Sequence, residues 1–239
     1  MKNVKFKLFS AGVVLAMVFT LSCSSDDGGG GGSSSSVESG SSSSVGGGNT
    51  CSANFNIVVI GSQTWMAENL NCNVEGSKCY DDDPDNCEKY GRLYYWATAM
   101  NLASSCNFST CLSLIQITHR GVCPDGWHIP SDAEWNALEN VVGGSSTAGT
   151  KLKANSGWNS HNGANSNGTN DYGFSALPGG YGNSSGSFYD VGYHGNWWSA
   201  TESSASNAYY RSMDYDHSDV NRYNYRIKSE LFSVRCVQD

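Results

Sequence analysis

Residues 123–135 read CPDGWHIPSDAEW. Ser131 stands where a helix N-cap belongs, and Glu134, three residues on, can complete a capping box with it. Trp135, Leu138 and Val142 then recur at three- and four-residue spacings, and Gly143 ends the run. This is the clearest helix start in the chain. Its single apolar face has to be laid against something else, and the rest of the chain supplies mostly strands.

On the N-terminal side, residues 55–60 (FNIVVI) are short and β-branched, and Gly61 stops them, so they predict a strand. Residues 63–66 (QTWM) continue the sheet after a tight turn. In GRLYYWATAMNLA, residues 91–103, the positions of Leu93, Trp96, Ala97 and Met100 predict an amphipathic helix. On the C-terminal side, residues 143–190 are rich in Gly, Asn and Ser, with one short candidate strand at 171–177. An irregular region of that length inside a domain is unusual, and is normally functional or mobile. Strands return at 197–200, 208–213 and 231–237, the last with a period-two alternation. A strand, two helices, a long irregular loop region and then antiparallel strands make an α+β domain.

The whole chain has 239 residues, a net charge of -8, 15% charged residues, 12% aromatic residues and nine cysteines. The acidic balance excludes a nucleic-acid partner held by a basic face. The aromatic content excludes a wholly disordered chain. Residues 1–22 read as an export signal: Lys2, Lys5 and Lys7 precede an apolar run at 8–21 that is too short to span a bilayer. The sequence TLSC at 20–23 resembles a bacterial lipobox, which implies that Cys23 is lipidated and anchors the protein to a membrane. The alternative is an ordinary signal peptide with a spare thiol. Of the 27 residues at 24–50, 20 are Gly or Ser. Such a segment is a flexible tether with a reach of about 30 Å. Residues 51–239 form one domain, with no internal repeat.

Six segments resemble one family: GSQTWMAENLN (61–71), YGRLYYWATAMN (90–101), CPDGWHIPSDAEW (123–135), LPGGY (177–181), WWSAT (197–201) and SVRCV (233–237). Together they resemble the Fibrobacter succinogenes major paralogous domain along nearly all of 55–239. The resemblance implies an exported protein or lipoprotein, and a layout similar to the C-type-lectin-like fold. It implies that the first and last strands pair, with 55–60 beside 231–237. The short acidic run at 24–27 resembles a surface-export signal, which points to the outer membrane and its cell-surface side.

Lipidation of Cys23 would leave eight cysteines, which allow 105 pairings. Cys79 and Cys87 bracket an acidic turn, and Cys106 and Cys111 bracket a four-residue loop, so both look like local staples. The resemblance implies a long-range bridge between Cys123 and Cys236, and Cys51 and Cys72 remain. Zinc is the rival for Cys106 and Cys111, with His119 and His128 not far off, but disulfides are the commoner fate in an exported protein. Asp81, Asp82, Asp83, Asp85 and Glu88 crowd one loop and are the best cation candidate. The EF-hand pattern fails there, because its sixth position is Asn86 and its twelfth is Arg92. A solvated acidic turn is the plainer reading. Asn170 and Asp171 lack the Pro triplet of calcium-dependent lectins. No metal and no cofactor are expected.

The five histidines are scattered, and no nucleophile, metal-protease or phosphate-loop motif is present. The expectation is therefore a non-catalytic binding module, recognising a polysaccharide or a surface protein through loop aromatics and amides. Trp158, Tyr189, Tyr193 and Tyr223 are the candidate ligand-binding residues. Trp65, Trp127, Trp135, Trp197 and Trp198 are assigned to the core. A glycan-active enzyme using two carboxylates, or a structural envelope protein, are the alternatives.

Overall fold

A hairpin opens the described chain. Strands β1 (Ile57–Ile60) and β2 (Gln63–Met66) pair antiparallel about Gly61, whose φ of 63° suits glycine. The computed structural model describes residues 55–239. The export signal at 1–22, the lipidation site Cys23, the tether at 24–50 and Cys51 lie outside those residues.

The next elements are β3 (Ser77–Lys78), α1 (Pro84–Tyr90), β4 (Leu93–Tyr94) and the one-turn helix α2 (Trp96–Ala99). The helix expected over 91–103 is thus mostly absent. Leu93 to Ala97 contains only one residue that is not fully buried, and a short apolar run buried all round carries no usable period. Cross-strand pairing with β3 decides the matter in favour of a strand. The unexpected α1 starts inside the acidic loop. Asp83 accepts a hydrogen bond from Asp85 N at 3.0 Å, and Pro84 takes the first helical position.

Strand β5 (Trp127–His128) leads into α3 (Asp132–Val141). The capping box forms as the sequence predicts, with both reciprocal bonds between Ser131 and Glu134 present. A further helix, α4 (Ser145–Leu152), follows. Its Ser, Thr and Gly are weak helix formers, and burial of Ala148 and Leu152 against the core holds it. Residues 171–177 do not form a strand; Asn170 and Ser175 adopt positive φ there.

Five strands follow: β6 (Gly179–Gly182), β7 (Phe188–Val191), β8 (His194–Glu202), β9 (Ala208–Asp214) and β10 (Asn221–Tyr223). The expected last strand is split into β11 (Phe232–Ser233) and β12 (Val237–Gln238). An eight-stranded sheet has the path β10-β9-β8-β11-β4-β3, with β6 beside β8 and β7 on β6. A four-stranded sheet has the order β1-β2-β12-β5. The C-terminal strand therefore pairs with β2 and not with β1, contrary to the expected contact of 55–60 with 231–237. Trp65 and Met66 of β2 are buried, whereas Ile57 and Val59 of β1 are exposed, so β1 takes the sheet edge. Among the described residues the result is an α+β arrangement with four helices, mixed sheets and a core that contains Trp65, Trp135, Trp197 and Trp198, with Trp127 also buried.

Disulfides join Cys79 to Cys87, Cys106 to Cys111 and Cys123 to Cys236. The first two have the local pairing expected of them, and the second leaves no thiolates for zinc. His119 instead hydrogen-bonds Met100 O at 2.7 Å. Cys72 is also disulfide-bonded; the pairing expected for it rests on Cys51, outside the described residues.

Arg235 lies between β11 and β12 with 0% of its surface exposed. Its guanidinium donates to Asn69 Oδ1 at 2.7 Å, to Phe174 O and to Ser175 O, and stacks on the Phe174 ring at 4.2 Å. Burial pulls it down to about 9, which still leaves it charged at neutral pH. Asn69 Oδ1 also accepts from Trp197 Nε1 at 2.8 Å, and its amide donates to Tyr90 O at 2.9 Å. Asn69→Ala would leave two buried donor groups, the Trp197 indole and the charged Arg235 guanidinium, short of an acceptor, and Tyr90 O short of a donor. It should lower the unfolding free energy by roughly 3–5 kcal/mol, read as a lower denaturation midpoint.

His128 is held between two carboxylates, with Nδ1 2.7 Å from Asp239 and Nε2 2.7 Å from Glu134. Both nitrogens can donate only in the imidazolium form. Burial opposes that charge, but the hydrogen bonds that His128 donates to Glu134 and Asp239 prevail and raise the pKa. A raised folded pKa gives stability that is complete below the free value of about 6.5 and is lost as pH rises through the folded value. The melting temperature should therefore fall as pH rises above about 6.5, with a shallower fall in His128→Gln.

Candidate aromatic recognition face

The strands β6, β7, β9, β10 and β11 each contribute an aromatic ring to one connected group. Phe232 of β11 lies at its centre, with ring centroids 5.0 Å from Tyr210 and 6.2 Å from Tyr181. Tyr181 stacks on Tyr189 at 5.6 Å with an interplanar angle of 30°. Register places these two directly opposite each other on β6 and β7, so their side chains share a face. On the other side of Phe232, Tyr210 contacts Tyr223 at 5.5 Å and Tyr225 at 6.0 Å, and Tyr223 and Tyr225 touch each other at 5.0 Å.

Burial grades across this group. Phe232 and Tyr210 are buried, Tyr181 and Tyr223 are half-buried, and Tyr189 and Tyr225 are 42% and 58% exposed. Inner rings packed in the sheet therefore hold outer rings in place, with little side-chain freedom left to lose on binding.

Arg226 ties the two sides together. Its guanidinium lies over the Tyr181 ring at 5.1 Å, and Nη1 donates to Glu230 Oε1 at 3.2 Å. Burial works against this charge, but Glu230 and the Tyr210 phenol raise the guanidinium pKa. Burial also pushes Glu230 upward, and its Oε2 is enclosed without a hydrogen-bond partner. Tyr210 is pushed up by burial and by the neighbouring Tyr225. The face thus presents tyrosine rings and one guanidinium. Asn183 lies within 3.4 Å of the Tyr189 hydroxyl, and Asn224 is exposed beside Tyr225. Such a surface offers flat apolar area with polar rims, and both donors and acceptors.

The four residues expected to bind ligand do not form one site. Tyr189 and Tyr223 belong to this face. Tyr193 is 43% exposed but sits elsewhere, edge-on to Tyr215 at 5.0 Å, and Tyr215 in turn contacts His161 at 5.4 Å. Trp158 is a correction. It is only 5% exposed, donates from Nε1 to Ala176 O at 3.0 Å, and has Lys153 over its ring. The Gly- and Asn-rich region has few apolar side chains, and it uses this indole to anchor itself to the core. Arg226 had no signal of its own in the sequence beyond lying next to the Tyr-Asn-Tyr run at 223–225.

Two further histidines and part of the acidic loop are tied up locally. His194 Nδ1 lies 2.6 Å from Asp214 and Nε2 lies 4.0 Å from Asp190; the bond to Asp214 raises the imidazole pKa. His217 pairs with Asp216 at 2.8 Å. In the acidic loop, Asp83 caps α1 and Asp82 pairs with Lys78 at 3.0 Å.

No curated protein and no solved structure gives a significant match to the chain. The family model described as Fibrobacter succinogenes major domain matches residues 58–238, which takes in both sheets, all four helices and the aromatic face. The chain belongs to the Fibrobacter succinogenes major domain family.

Proposed function

We propose that this protein is a surface-anchored lipoprotein whose domain is a non-catalytic polysaccharide-binding module built on a C-type-lectin-like layout. The observation that carries the binding reading is the ring series Tyr189–Tyr181–Phe232–Tyr210–Tyr225, exposed at both ends and stiffened in the middle. A pyranose ring has an apolar face of C–H bonds that lies flat on a tyrosine, while its equatorial hydroxyls reach the rim. Arg226 over Tyr181, Asn183 beside the Tyr189 hydroxyl and the exposed Asn224 next to Tyr225 would supply donors and acceptors for those hydroxyls. A chain of sugars would meet two exposed rings on one surface, which favours a polymer over a single sugar.

Three features support the layout. The C-terminal strand enters the sheet of the N-terminal hairpin, Cys123–Cys236 ties that strand to the segment before β5, and a long irregular region precedes the β8–β9 hairpin. The anchor reading rests on the lipobox-like TLSC at 20–23, the apolar run before it and the Gly/Ser tether after it. Several acyl chains on Cys23 would hold the protein firmly on the outer membrane.

In a binding screen of insoluble and soluble glycans, including cellulose, the protein should bind at least one. Tyr189→Ala and Tyr225→Ala should each weaken that binding roughly tenfold, about 1.4 kcal/mol, with Tyr193→Ala as a control that changes little. Equal binding by all three variants would remove the aromatic face from recognition. For the anchor, Cys23→Ser should move the protein from the membrane fraction to the soluble fraction. Retention on membranes would count against lipidation there.

A further inference from the structure

A cleft of about 600 Å³ lies between the second half of α3, the first turn of α4 and residues 219–222. Behind its lining residues Asn136 and Glu139, and bonded to both, lies Arg211, which is fully buried. Arg211 donates to Glu139, to Asp132 Oδ1 at 2.8 Å and to Asn136 Oδ1 at 2.7 Å. Asp132 takes a second guanidinium, with Arg222 Nε 2.8 and 3.0 Å from its two oxygens. Arg222 also lies over the Tyr209 ring at 4.3 Å. From the other wall, Val220 N donates to Ser145 O at 2.8 Å. These bonds fix α3, α4 and β10 relative to one another, so the cleft is already formed before any ligand enters.

The same bonds leave a definite set of polar atoms unused among the described residues. Glu139 is 6% exposed and lines the cleft. Its Oε1 is taken by Arg211; its Oε2 has no hydrogen-bond partner, yet it is not among the enclosed unsatisfied atoms, so it opens onto the cleft. Asn136 has spent its oxygen on Arg211 and keeps its amide N–H groups. Arg222 has spent Nε on Asp132 and also interacts with the Tyr209 hydroxyl, and its remaining N–H groups line the cleft. Asn140 and the hydroxyls of Ser145 and Ser146 complete the lining, with Asp219 and Asn221 opposite.

Donors and acceptors are therefore mixed at close quarters. An anion would meet Glu139 and Asp219. A cation would meet Arg222, with Arg211 beneath. An apolar ligand would find only Val220. A ligand whose groups each both donate and accept satisfies the whole lining, and vicinal hydroxyls match a carboxylate oxygen beside a guanidinium. We propose that this cleft is a binding site for a neutral oligosaccharide unit, separate from the aromatic face and independent of it.

The test titrates the full chain with cellobiose, xylobiose, mannobiose and chitobiose, followed by calorimetry and NMR. At least one should bind. Ser146→Trp places an indole from an exposed position into the cleft and should abolish binding. Asn140→Ala combined with Asn221→Ala should weaken it at least tenfold, and this variant decides the matter if Ser146→Trp misfolds. Ile117→Ala, at a fully exposed position on neither surface, should leave the affinity within twofold, and Tyr225→Ala reports separately on the aromatic face. The proposal is overturned if no neutral disaccharide binds, if only charged sugars or amino acids bind, or if binding survives both cleft variants. Binding lost in Tyr225→Ala but kept in the cleft variants would assign sugar recognition to the aromatic face alone.

Discussion

The charge of Arg235 is the constraint around which the domain is organised. A guanidinium removed from water costs several kcal/mol unless its donors are met. No carboxylate lies on it among the described residues. Oxygens from two distant parts of the chain come to it instead: the side chain of Asn69 and the carbonyls of Phe174 and Ser175. This explains why a stretch of Gly, Asn and Ser with no strand of its own is nonetheless placed. The chain at 174–175 is held as a ligand of the cation. Locally, Asn170 Oδ1 accepts from Ser175 N at 2.7 Å, a side chain standing in for a backbone partner.

A second buried charge does the same for the loop at 106–111. Lys228 and Glu202 are paired with almost no exposure. Lys228 also donates to Cys106 O at 3.1 Å and Ser109 O at 3.3 Å, while Glu202 accepts from Thr110 at 2.8 Å and Cys111 N at 3.0 Å. Burial alone would raise the Glu202 carboxyl, but Lys228, Thr110 and Cys111 hold it below the usual range. The domain thus orders irregular backbone by burying ions and letting carbonyls and amides wrap them. The local disulfides then close loops whose ends are already near.

This economy has a functional consequence. Because buried ions and Trp rings order the interior, most of the late tyrosines are not needed at the centre of the core. They can grade from buried Tyr210 to exposed Tyr225 and form a rigid surface. The Arg211–Asp132–Arg222 network achieves a comparable stiffness around the polar cleft. Two preformed surfaces of different chemistry result, one of rings and one of amides, hydroxyls and ions.

What the sequence determined by itself was local. The capping box at 131–134, the strands at 57–60 and 63–66, and the Cys79–Cys87 and Cys106–Cys111 bridges depend on residues within a few positions of one another, so spacing was enough to find them. Residues 91–103 were misread because a run buried on every side has no period. The helix at 84–90 was hidden in an acidic loop that looked like a solvated turn. Only the tertiary structure decided that β12 joins β2, that Trp158 is inside, and that Tyr189 and Tyr193 point to different surfaces. Those outcomes are set by contacts such as Arg235 with Phe174 or Trp158 with Ala176, between segments with different partners to satisfy. A tyrosine has the same identity in a core and on a surface, and what packs beneath it is supplied by chain far away in the sequence.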